Sequence, residues 1–506
     1  MINEFRMVYN SRSLKKTAVK GLYTAAMLGP VTSGTTAGTI VTLTTSNIDS
    51  YGPGISIEHA RFMLNAGLPK VDFLPMAVGT SSYAAKLNTL TKVGAGLVIP
   101  TIAGAAVDGP IPLRVVIKTS GTETTSTYSY SFDDGSSYQG TATAASSATA
   151  LAYSTGVNSG LTITFVAGSY VAGDVFYATF YPACVDGTAL AASFAILLAR
   201  DTYNIVTIAG APMGGIDAAN LAAANTILTA CDTAAALWKL SRVETQFFMA
   251  APAPVALGIE LTQASILAAN IPKTSNQVFV GFGHVFRETG NKFICLRSLQ
   301  WLALERLIQL NAPLHSIYQV SDGGLPVLRP APSALTATNL NYANGMIENG
   351  VTYDEQMDAA TSPTLLGFGC IQSPREQKGQ YFFVQANNHA DPTSDFFEMA
   401  YWLASTIFLP TMRSALYTQY KGSSLLTNVD GTIEEATAQA VEAFGNDTFK
   451  KTLVQSGLFP SMRQGESCID INRSSNFGAD NTLRGVLRFR VPSFVKTFSF
   501  EFGLQF

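Results

Sequence analysis

Apolar and polar positions alternate at both ends of this chain, which is the pattern of a half-buried β-strand. Near the N-terminus Phe5, Met7 and Tyr9 alternate with polar residues, and near the C-terminus the alternation occupies much of residues 484–506. The C-terminal apolar positions form two alternating runs with Pro492 as the break between them: Leu487, Phe489 and Val491, and then Phe498, Phe500, Phe502 and Leu504. We therefore predict an extended N-terminal arm over residues 1–20 and a C-terminal β-arm over residues 484–506.

A terminal strand of this kind has to bury its apolar side. Each large side chain gains about 1.5–3 kcal/mol on burial, which exceeds what fraying of a chain end opposes. The strand can pair within its own subunit, or it can be added to the sheet edge of a neighbouring copy. The presence of two such arms favours the second alternative, so the apolar arm residues are predicted contacts between subunits.

The amino-acid composition changes twice in the middle of the chain, near residue 101 and near residue 186. Residues 101–186 are rich in Thr, Ser, Gly, Ala and Tyr, and their short alternating runs are separated by turn signals, which predicts an inserted β-sandwich or barrel. On either side, residues 21–100 and 187–334 predict an α/β domain with a partly parallel sheet. Its predicted helices are 56–67, 216–240, 265–270 and 295–310, and its predicted strands are 203–209, 245–251 and 278–282.

Residues 335–483 predict a further α/β core domain that is richer in helix. Asp391 is interpreted as a helix N-cap, Thr432 with Glu435 as a capping box, and Gly445 as the point that divides two helices. The predicted buried face of the first helix consists of Phe396, Met399, Leu403 and Ile407. The predicted fold class is thus α/β (α+β) and multi-domain, with a core built from both chain ends, an inserted β domain and extended terminal arms.

Composition limits the classes of function. Charged residues make up 13% of the chain against 47% hydrophobic residues, so the surface of a folded chain must be poor in charge and suited to packing against neighbours. The net charge of −3 argues against a nucleic-acid partner. The basic cluster Arg12, Lys15, Lys16 and Lys20 is interpreted as a solvated or neighbour-pairing end segment. No stretch predicts a membrane span or a signal peptide, and the five scattered cysteines suit free thiols in a cytosol.

Motifs for catalysis are weak. The glycines in residues 208–215 follow a predicted strand but lack the spacing of a phosphate-binding loop. The four histidines are widely separated, so no metal site is predicted. Residues 387–391 are interpreted as a helix-capping loop and Asp133–Asp134 as a turn. We accordingly predict no catalytic residue, no cofactor and no enzymatic activity.

Several segments resemble the sheath subunits of contractile phage tails and related contractile injection systems. The resemblance follows the order of elements over most of the chain and is strongest over residues 350–506. The segments that carry it are 243–253, 306–331 with its turn at 323–327, 348–351, 382–388 and 469–472.

The resemblance implies a core assembled from both ends of the chain, an outward-facing insertion over 101–186, and arms that add strands to neighbouring subunits. It implies a homo-oligomer of stacked rings or a helical sheath with six-fold symmetry. The implied partners are an inner tail tube protein, baseplate proteins and tail terminator proteins, with no nucleic acid and no direct membrane insertion. The sheath would be made in a bacterial cytoplasm, become part of a virion tail, and contract to drive the tube through a cell envelope. Lys450 and Lys451 are the candidate residues that face the tube.

Two alternatives remain open from the sequence. The Thr/Ser-rich β module also suits a capsid, surface-layer or adhesin-like protein. The hydrophobic α/β middle also suits a cytosolic enzyme with a β insertion.

Overall fold

A computed structural model describes most of the chain between residues 23 and 490. The described residues are 23–79, 83, 85, 87–107, 109–133, 135–153, 156–210, 218–241, 243–251, 275–282, 284–288, 294–310, 317, 325, 329–330, 367–369, 371–372, 381–384, 387–394, 397–480 and 482–490. Several predicted arm residues lie outside them: Phe5, Met7, Tyr9, Val491, Phe498, Phe500, Phe502 and Leu504. The predicted helix 265–270 and Phe396 also lie outside the described residues.

Helices and strands alternate along the described chain, except between residues 91 and 180, where the described residues form strands but no α-helix. The α-helices are α1 Ile55–Ala66, α2 Leu190–Arg200, α3 Ala218–Leu240, α4 Leu299–Leu310, α5 Met399–Tyr420, α6 Glu435–Thr448 and α7 Phe477–Asp480. The strands to residue 180 are β1 Ala25–Pro30, β2 Val41–Leu43, β3 Val71–Met76, β4 Thr91–Val93, β5 Thr101–Gly104, β6 Ile111–Thr119, β7 Gly121–Thr122, β8 Thr127–Ser131, β9 Ala142–Thr143, β10 Thr149–Ala152, β11 Asn158–Thr164, β12 Ser169–Tyr170 and β13 Val175–Phe180. The later strands are β14 Ile205–Ile208, β15 Gln246–Ala250, β16 Val278–Gly281, β17 His284–Glu288, β18 Ile294–Ser298, β19 Arg329–Pro330, β20 Ile371–Gln372, β21 Phe382–Phe383, β22 Ile469–Ile471 and β23 Gly485–Leu487.

A six-stranded sheet in the order β16-β15-β14-β1-β3-β2 forms the centre of the α/β part. Its strands are parallel except β2, which pairs antiparallel with β3. Residues of β1, β3, β14, β15 and β16 are buried on both faces, because α1, α4 and α5 cover one face and α2 and α3 cover the other. The prediction of an α/β fold with a partly parallel sheet is confirmed.

Strands β4–β13 form the Thr/Ser-rich β module. A five-stranded sheet, β4-β13-β6-β8-β9, packs against a three-stranded sheet, β10-β11-β5, around aromatic residues that include Tyr128, Phe165 and Phe176. The alternating runs that predict this module lie at residues 113–118, 127–132, 161–165 and 175–181, and each of them coincides with a strand. The sheet also includes Thr91–Val93, which pairs with β13 and precedes residue 101 in the chain.

The predicted helix over 295–310 is wrong in its first turn. Residues Ile294–Ser298 form β18, which pairs antiparallel with His284–Glu288, and the helix begins at Leu299. Tertiary pairing of the strand overrides the helical pattern there. The Ser298 hydroxyl accepts a hydrogen bond from the Gln300 N–H at 3.2 Å and so marks the start of the helix.

Two predicted helix caps are also wrong. The Asp391 carboxylate accepts hydrogen bonds from the N–H and hydroxyl of Thr393 in a local turn, while α5 begins eight residues later at Met399. Thr432 donates its hydroxyl to Asp430, and no side chain caps α6 at its N-cap residue, Glu434. Short polar side chains thus stabilise the turns that precede these helices.

Gly445 does not divide two helices. It is buried inside α6, which continues to Thr448 and leads into a π-helical turn at Phe449–Val454. A Cβ atom at Gly445 would lie 2.6 Å from Ile469 Cγ2, so glycine allows β22 to approach the helix backbone.

Helix α5 connects the central sheet to the C-terminal elements. The predicted buried positions Met399, Leu403 and Ile407 are confirmed. In the first turn of the same helix, Trp402 Nε1 donates a hydrogen bond to the Thr245 carbonyl at 2.9 Å. No helix of the described residues has both the length and the apolar character needed to cross a bilayer.

Candidate functional site

The C-terminal strand pair β22–β23 is the site that the sequence pattern singles out, because it directly precedes the alternating segment 491–506. Its strands are antiparallel, with Ile469 opposite Leu487 and Ile471 opposite Gly485. The Asn472 N–H donates to the Arg484 carbonyl and the Arg488 N–H donates to the Cys468 carbonyl, each at 2.7–2.8 Å. These bonds use the inward-facing backbone groups of the pair.

The outer edge of β22 is closed by side chains. Glu442 of α6 accepts the Ile471 N–H at 2.8 Å, and the Ser467 hydroxyl accepts the Ile469 N–H at 3.3 Å. Asn446 then accepts the Cys468 N–H at 2.8 Å and donates to Ser467 Oγ at 2.7 Å. A further strand cannot pair along this edge without displacing these contacts.

Arg473 holds the Glu442 carboxylate in the position where it accepts the Ile471 N–H at the outer edge of β22. Its guanidinium makes a bidentate pair with Glu442 at 2.8 and 3.0 Å and a second pair with Glu435 at 2.6 and 3.1 Å. These hydrogen bonds lower the pKa of the Glu442 carboxyl, which favours the ionised, acceptor-only form. Helix α6, β22 and Arg473 therefore form one connected unit.

Among the described residues, no strand pairs with the outer edge of β23. The register turns the backbone N–H and C=O groups of Gly485 and Leu487 away from β22, and no other described residue hydrogen-bonds to them. This edge therefore presents a row of free donors and acceptors to an incoming strand.

A groove of about 810 Å³ lies beside the open edge, under the inner face of the strand pair. Its wall is formed by the end of α5, the turn after it, and the two strands. The apolar and aromatic residues that line it include Leu416, Tyr417, Tyr420, Leu425, Ile469, Ile471, Phe477, Leu483 and Leu487. A strand added next to β23 would point alternate side chains into this groove and the others toward the side of Val486, which is 51% exposed.

The predicted arm residues Leu487 and Phe489 pack against the core of their own chain. Phe489 lies 4.6 Å from Phe408 and 5.7 Å from Phe459 between ring centroids, and Leu487 contacts the same hydrophobic cluster. These two residues fix the start of the C-terminal arm on the body. Their predicted part in contacts between subunits stays a prediction.

The candidate tube-facing lysines lie on the π-helical turn. Lys450 and Lys451 are exposed, while Phe449 and Leu453 of the same turn are buried. Lys451 Nζ forms an exposed ion pair with Asp447 at 2.6 Å, which contributes little to stability. Their predicted role also stays a prediction.

A buried polar cluster occupies the position where parallel α/β sheets of enzymes commonly bind ligands, near the carboxyl ends of the strands. His59 Nε2 lies 3.2 Å from Thr207 Oγ1, and the Gln300 amide nitrogen lies 2.7 Å from the same hydroxyl. Burial, with Arg297 as a second cause, lowers the pKa of His59 to about 3. All three residues are at most 1% exposed, and Trp301 packs against the imidazole at 4.4 Å. Sequence reasoning treated His59 as one of several scattered histidines and missed this cluster, whose only signal was a histidine in the first turns of a helix.

Within the described residues, no group of three or more His, Cys, Asp or Glu side chains is placed to hold a metal ion. Cys184, Cys231 and Cys468 are buried and form no disulfide. Burial raises the pKa of the Cys468 thiol to about 11, so this thiol stays protonated at neutral pH.

Comparisons with known proteins find similarity among solved structures. No protein-family model matches the sequence, and no curated protein is significantly similar to it. Among solved structures, the chain is similar to one described as the cryo-EM structure of the anti-feeding prophage (AFP) helical sheath in contracted state. The alignment covers 95% of this chain and 92% of that chain, at 11% sequence identity and a TM-score of 0.44.

Proposed function

We propose that this chain is a structural subunit of a contractile tail sheath, which polymerises around an inner tube through strands exchanged between copies. The observation that carries the proposal is the open edge of β23, with its apolar groove, immediately before the alternating segment 491–506. The C-terminal arm of one copy is the strand that this edge accepts in the next copy.

The alternating side chains of the C-terminal arm match the apolar groove beside β23. Alternate residues of an added strand point to one side, so Phe498, Phe500 and Phe502 would enter the groove together while the residues between them face solvent. At about 1.5–3 kcal/mol for each buried side chain, the three phenylalanines supply enough free energy to offset the conformational entropy that an arm loses when it is ordered on binding. The chain from Arg490 to Phe498 can span up to about 28 Å, a distance that reaches a neighbouring subunit.

The contact between arm and edge joins different surfaces of the two copies. A head-to-tail contact of this kind does not close into a symmetric dimer but continues into rings or open helices. The closed outer edge of β22 leaves one direction for strand addition on this pair, which favours a regular polymer over branched aggregates.

The contractile part of the proposal is supported by the sequence resemblance to sheath subunits. On this proposal the energy for contraction is stored in packing between subunits, so no nucleotide, metal or catalytic residue is required. The inner tube, baseplate and terminator proteins are the partners, the symmetry is six-fold, and residues 101–186 face outward. The alternatives of another self-assembling shell protein and of an α/β enzyme lead to different particles in the test below.

The first test is polymerisation of the purified protein, observed by negative-stain electron microscopy. Wild-type protein should form rings or tubes, whereas an enzyme would form discrete small oligomers. Deletion of residues 494–506 should give a folded monomer that does not polymerise. Wholesale unfolding of this variant would mean that the arm belongs to its own core.

The second test blocks the open edge and leaves the arm intact. Leu487→Pro removes the outward N–H of β23 and should abolish polymerisation, since proline cannot donate to an added strand. Leu487→Ala is the matched control, because it removes the same side chain and keeps the N–H. It should still polymerise.

Mixing the two defective proteins makes the test decisive. The arm-deleted chain retains an acceptor edge and Leu487→Pro retains a donor arm, so the mixture should form heterodimers that neither protein forms alone. Polymers of Leu487→Pro alone, or a mixture that stays monomeric while both variants are folded, would contradict strand exchange at this edge.

A further inference from the structure

The connection between α5 and α6 carries two exposed aliphatic side chains. Val429 is 109% exposed and Leu426 is 65% exposed, and both belong to residues 426–434, which we call the α5–α6 hairpin. Residues 422–429, which lead into this hairpin and form its first half, contain no charged side chain. Depletion of charge is typical of the core of a protein interface, so the composition indicates a contact surface.

Hydrogen bonds hold the hairpin in one conformation. The Gly431 N–H donates to the Asn428 carbonyl at 3.0 Å, which closes a four-residue turn, and the Asn428 N–H donates to the Thr432 carbonyl at 2.8 Å. Asp430 Oδ1 accepts the N–H and the hydroxyl of Thr432 at 2.9 and 2.6 Å. These two bonds, the hydroxyl foremost, lower the pKa of the Asp430 carboxyl. The hairpin is therefore ordered before any partner binds.

Val429 occupies the second position of this turn, where its residue type is unusual. Turns are dominated by Gly, Pro, Asn, Asp and Ser, and Asn428, Asp430 and Gly431 follow that rule. A branched apolar side chain at this position gains nothing from the turn and is left in water. Residues that break a local rule without benefit to the fold are expected at functional surfaces, so Val429 indicates a contact outside the described fold.

The hairpin extends the wall of the groove beside β23. Leu426 directly follows Leu425, which lines the groove. Thr432 forms a β-bridge with Asn476, which directly precedes the groove residue Phe477. A molecule seated in the groove therefore has the hairpin as its neighbour.

The size of the groove indicates which molecule this is. Stable interfaces involve about 20–30 residues from each partner. A strand added at β23 places only its alternate side chains in the groove, so its contact is smaller than that. The body of the copy that donates the strand has to supply further contacts, and the surface next to the groove is the first that it meets.

We propose that the α5–α6 hairpin is a second contact at the same joint, in which Val429 and Leu426 pack against the body of the copy whose C-terminal arm occupies the groove. This inference rests on the proposed strand exchange and adds a partner surface to it. The arm supplies reach and register. The hairpin, which is already ordered, fixes how the two bodies are oriented.

Heterodimers test this contact, because each contains a single joint. The acceptor is the chain that lacks residues 494–506, and the donor is the Leu487→Pro chain. Val429→Thr in the acceptor should raise the Kd measured by titration calorimetry about tenfold, since it keeps the branched shape but buries a hydroxyl group without a partner. Val93→Thr in the acceptor is the matched control, because Val93 is a 49% exposed valine of the β module, and it should leave the Kd unchanged.

The same substitution in the other chain separates the possible outcomes. Val429→Thr in the donor should have no effect, because the donor's own hairpin lies outside the joint. An unchanged Kd with the acceptor variant, while the parent heterodimer forms, would overturn the hairpin contact and leave strand exchange intact. Equal weakening from either chain would also overturn it. Absence of every heterodimer would contradict strand exchange itself, and the hairpin contact with it.

A photo-crosslinker identifies the partner surface directly. Val429→Cys in the acceptor, labelled with benzophenone-maleimide, should become joined to the donor chain on illumination, with the linked peptides identified by mass spectrometry. The same label at Val93→Cys is the control and should give no link to the donor. The parent acceptor, treated in parallel, reports any reaction of the natural cysteines. Links from position 429 to its own chain alone would overturn the proposed placement.

Discussion

Replacement of Gly445 by alanine tests the close contact on which the strand pair β22–β23 rests. The added Cβ would lie 2.6 Å from Ile469 Cγ2, whereas carbon atoms in ordinary contact are about 3.5–4.0 Å apart. Strand β22 would have to move by about 1 Å, and overpacking of this kind costs about 1–3 kcal/mol. Alanine stabilises a helix by about 0.5–1 kcal/mol relative to glycine, so we expect a net loss of about 1–2 kcal/mol.

The effect should be local, so native-state hydrogen exchange is the suitable assay. Amides that are hydrogen-bonded in the strand pair or to Glu442, namely those of Ile471, Asn472 and Arg488, should exchange about tenfold faster in Gly445→Ala, in line with a loss of about 1.4 kcal/mol. Gly140→Ala is the control, since a Cβ there meets no atom within 4 Å.

A double-mutant cycle then identifies the cause. Ile469→Ala removes the methyl group that the new Cβ meets, so Gly445→Ala should cost nothing, or be slightly stabilising, in the Ile469→Ala background. The same penalty with and without Ile469 would refute the steric explanation.

Two further predictions concern the body and the β module. The pKa of His59 is about 3 in the folded chain and 6.5 in the unfolded chain, so the unfolded chain takes up the proton first as pH falls. Stability should therefore decrease by about 2 kcal/mol from this group between pH 7 and pH 5. Urea unfolding followed by tryptophan fluorescence should show that His59→Gln lacks this part of the pH dependence, and an unchanged pH dependence would contradict it. Second, deletion of residues 91–180 with a short linker should leave a folded α/β body by circular dichroism. Deletion of residues 101–186 should aggregate, because it leaves Thr91–Val93 without β13 and removes Val185, which bridges to Val78. Equal solubility of the two deletions would argue against this boundary.

The parts of the fold that were predictable from sequence are those with a strong local pattern. Buried strands such as Val278–Gly281 and the glycine stop after α1 were evident from runs of apolar residues and from Gly67, which has a φ of +123°. The β module was evident from its turns. These features depend on neighbours in sequence, so a single chain is enough to see them.

Two of the errors in the predicted elements occurred where contacts distant in sequence decide the structure. Residues Ile294–Ser298 carry a helical pattern, but they pair with β17 as a strand. Gly445 predicted a helix end because glycine is common there, whereas in the structure it leaves room for Ile469 of β22. At the candidate site, the alternation predicted the arm, whereas the acceptor edge was not predictable. That edge depends on Glu442 and Ser467 closing one side of a strand pair, while no other described residue pairs with the opposite side.

The polar links along α5 have a mechanical consequence. Trp402 binds the Thr245 carbonyl, and Arg413 forms an ion pair at 2.6 Å with Glu244, whose side chain is 1% exposed. Burial raises the pKa of Glu244 in spite of Arg413, whose own side chain is 35% exposed. Separation of the pair would leave the buried Glu244 carboxylate without its nearest counter-ion, which is costly. Tension applied to β23 by a neighbouring arm would pass through β22 and α6 to α5, and from there into the central sheet. The subunit should accordingly respond to a pull as one stiff piece, with displacement confined to the joints between copies.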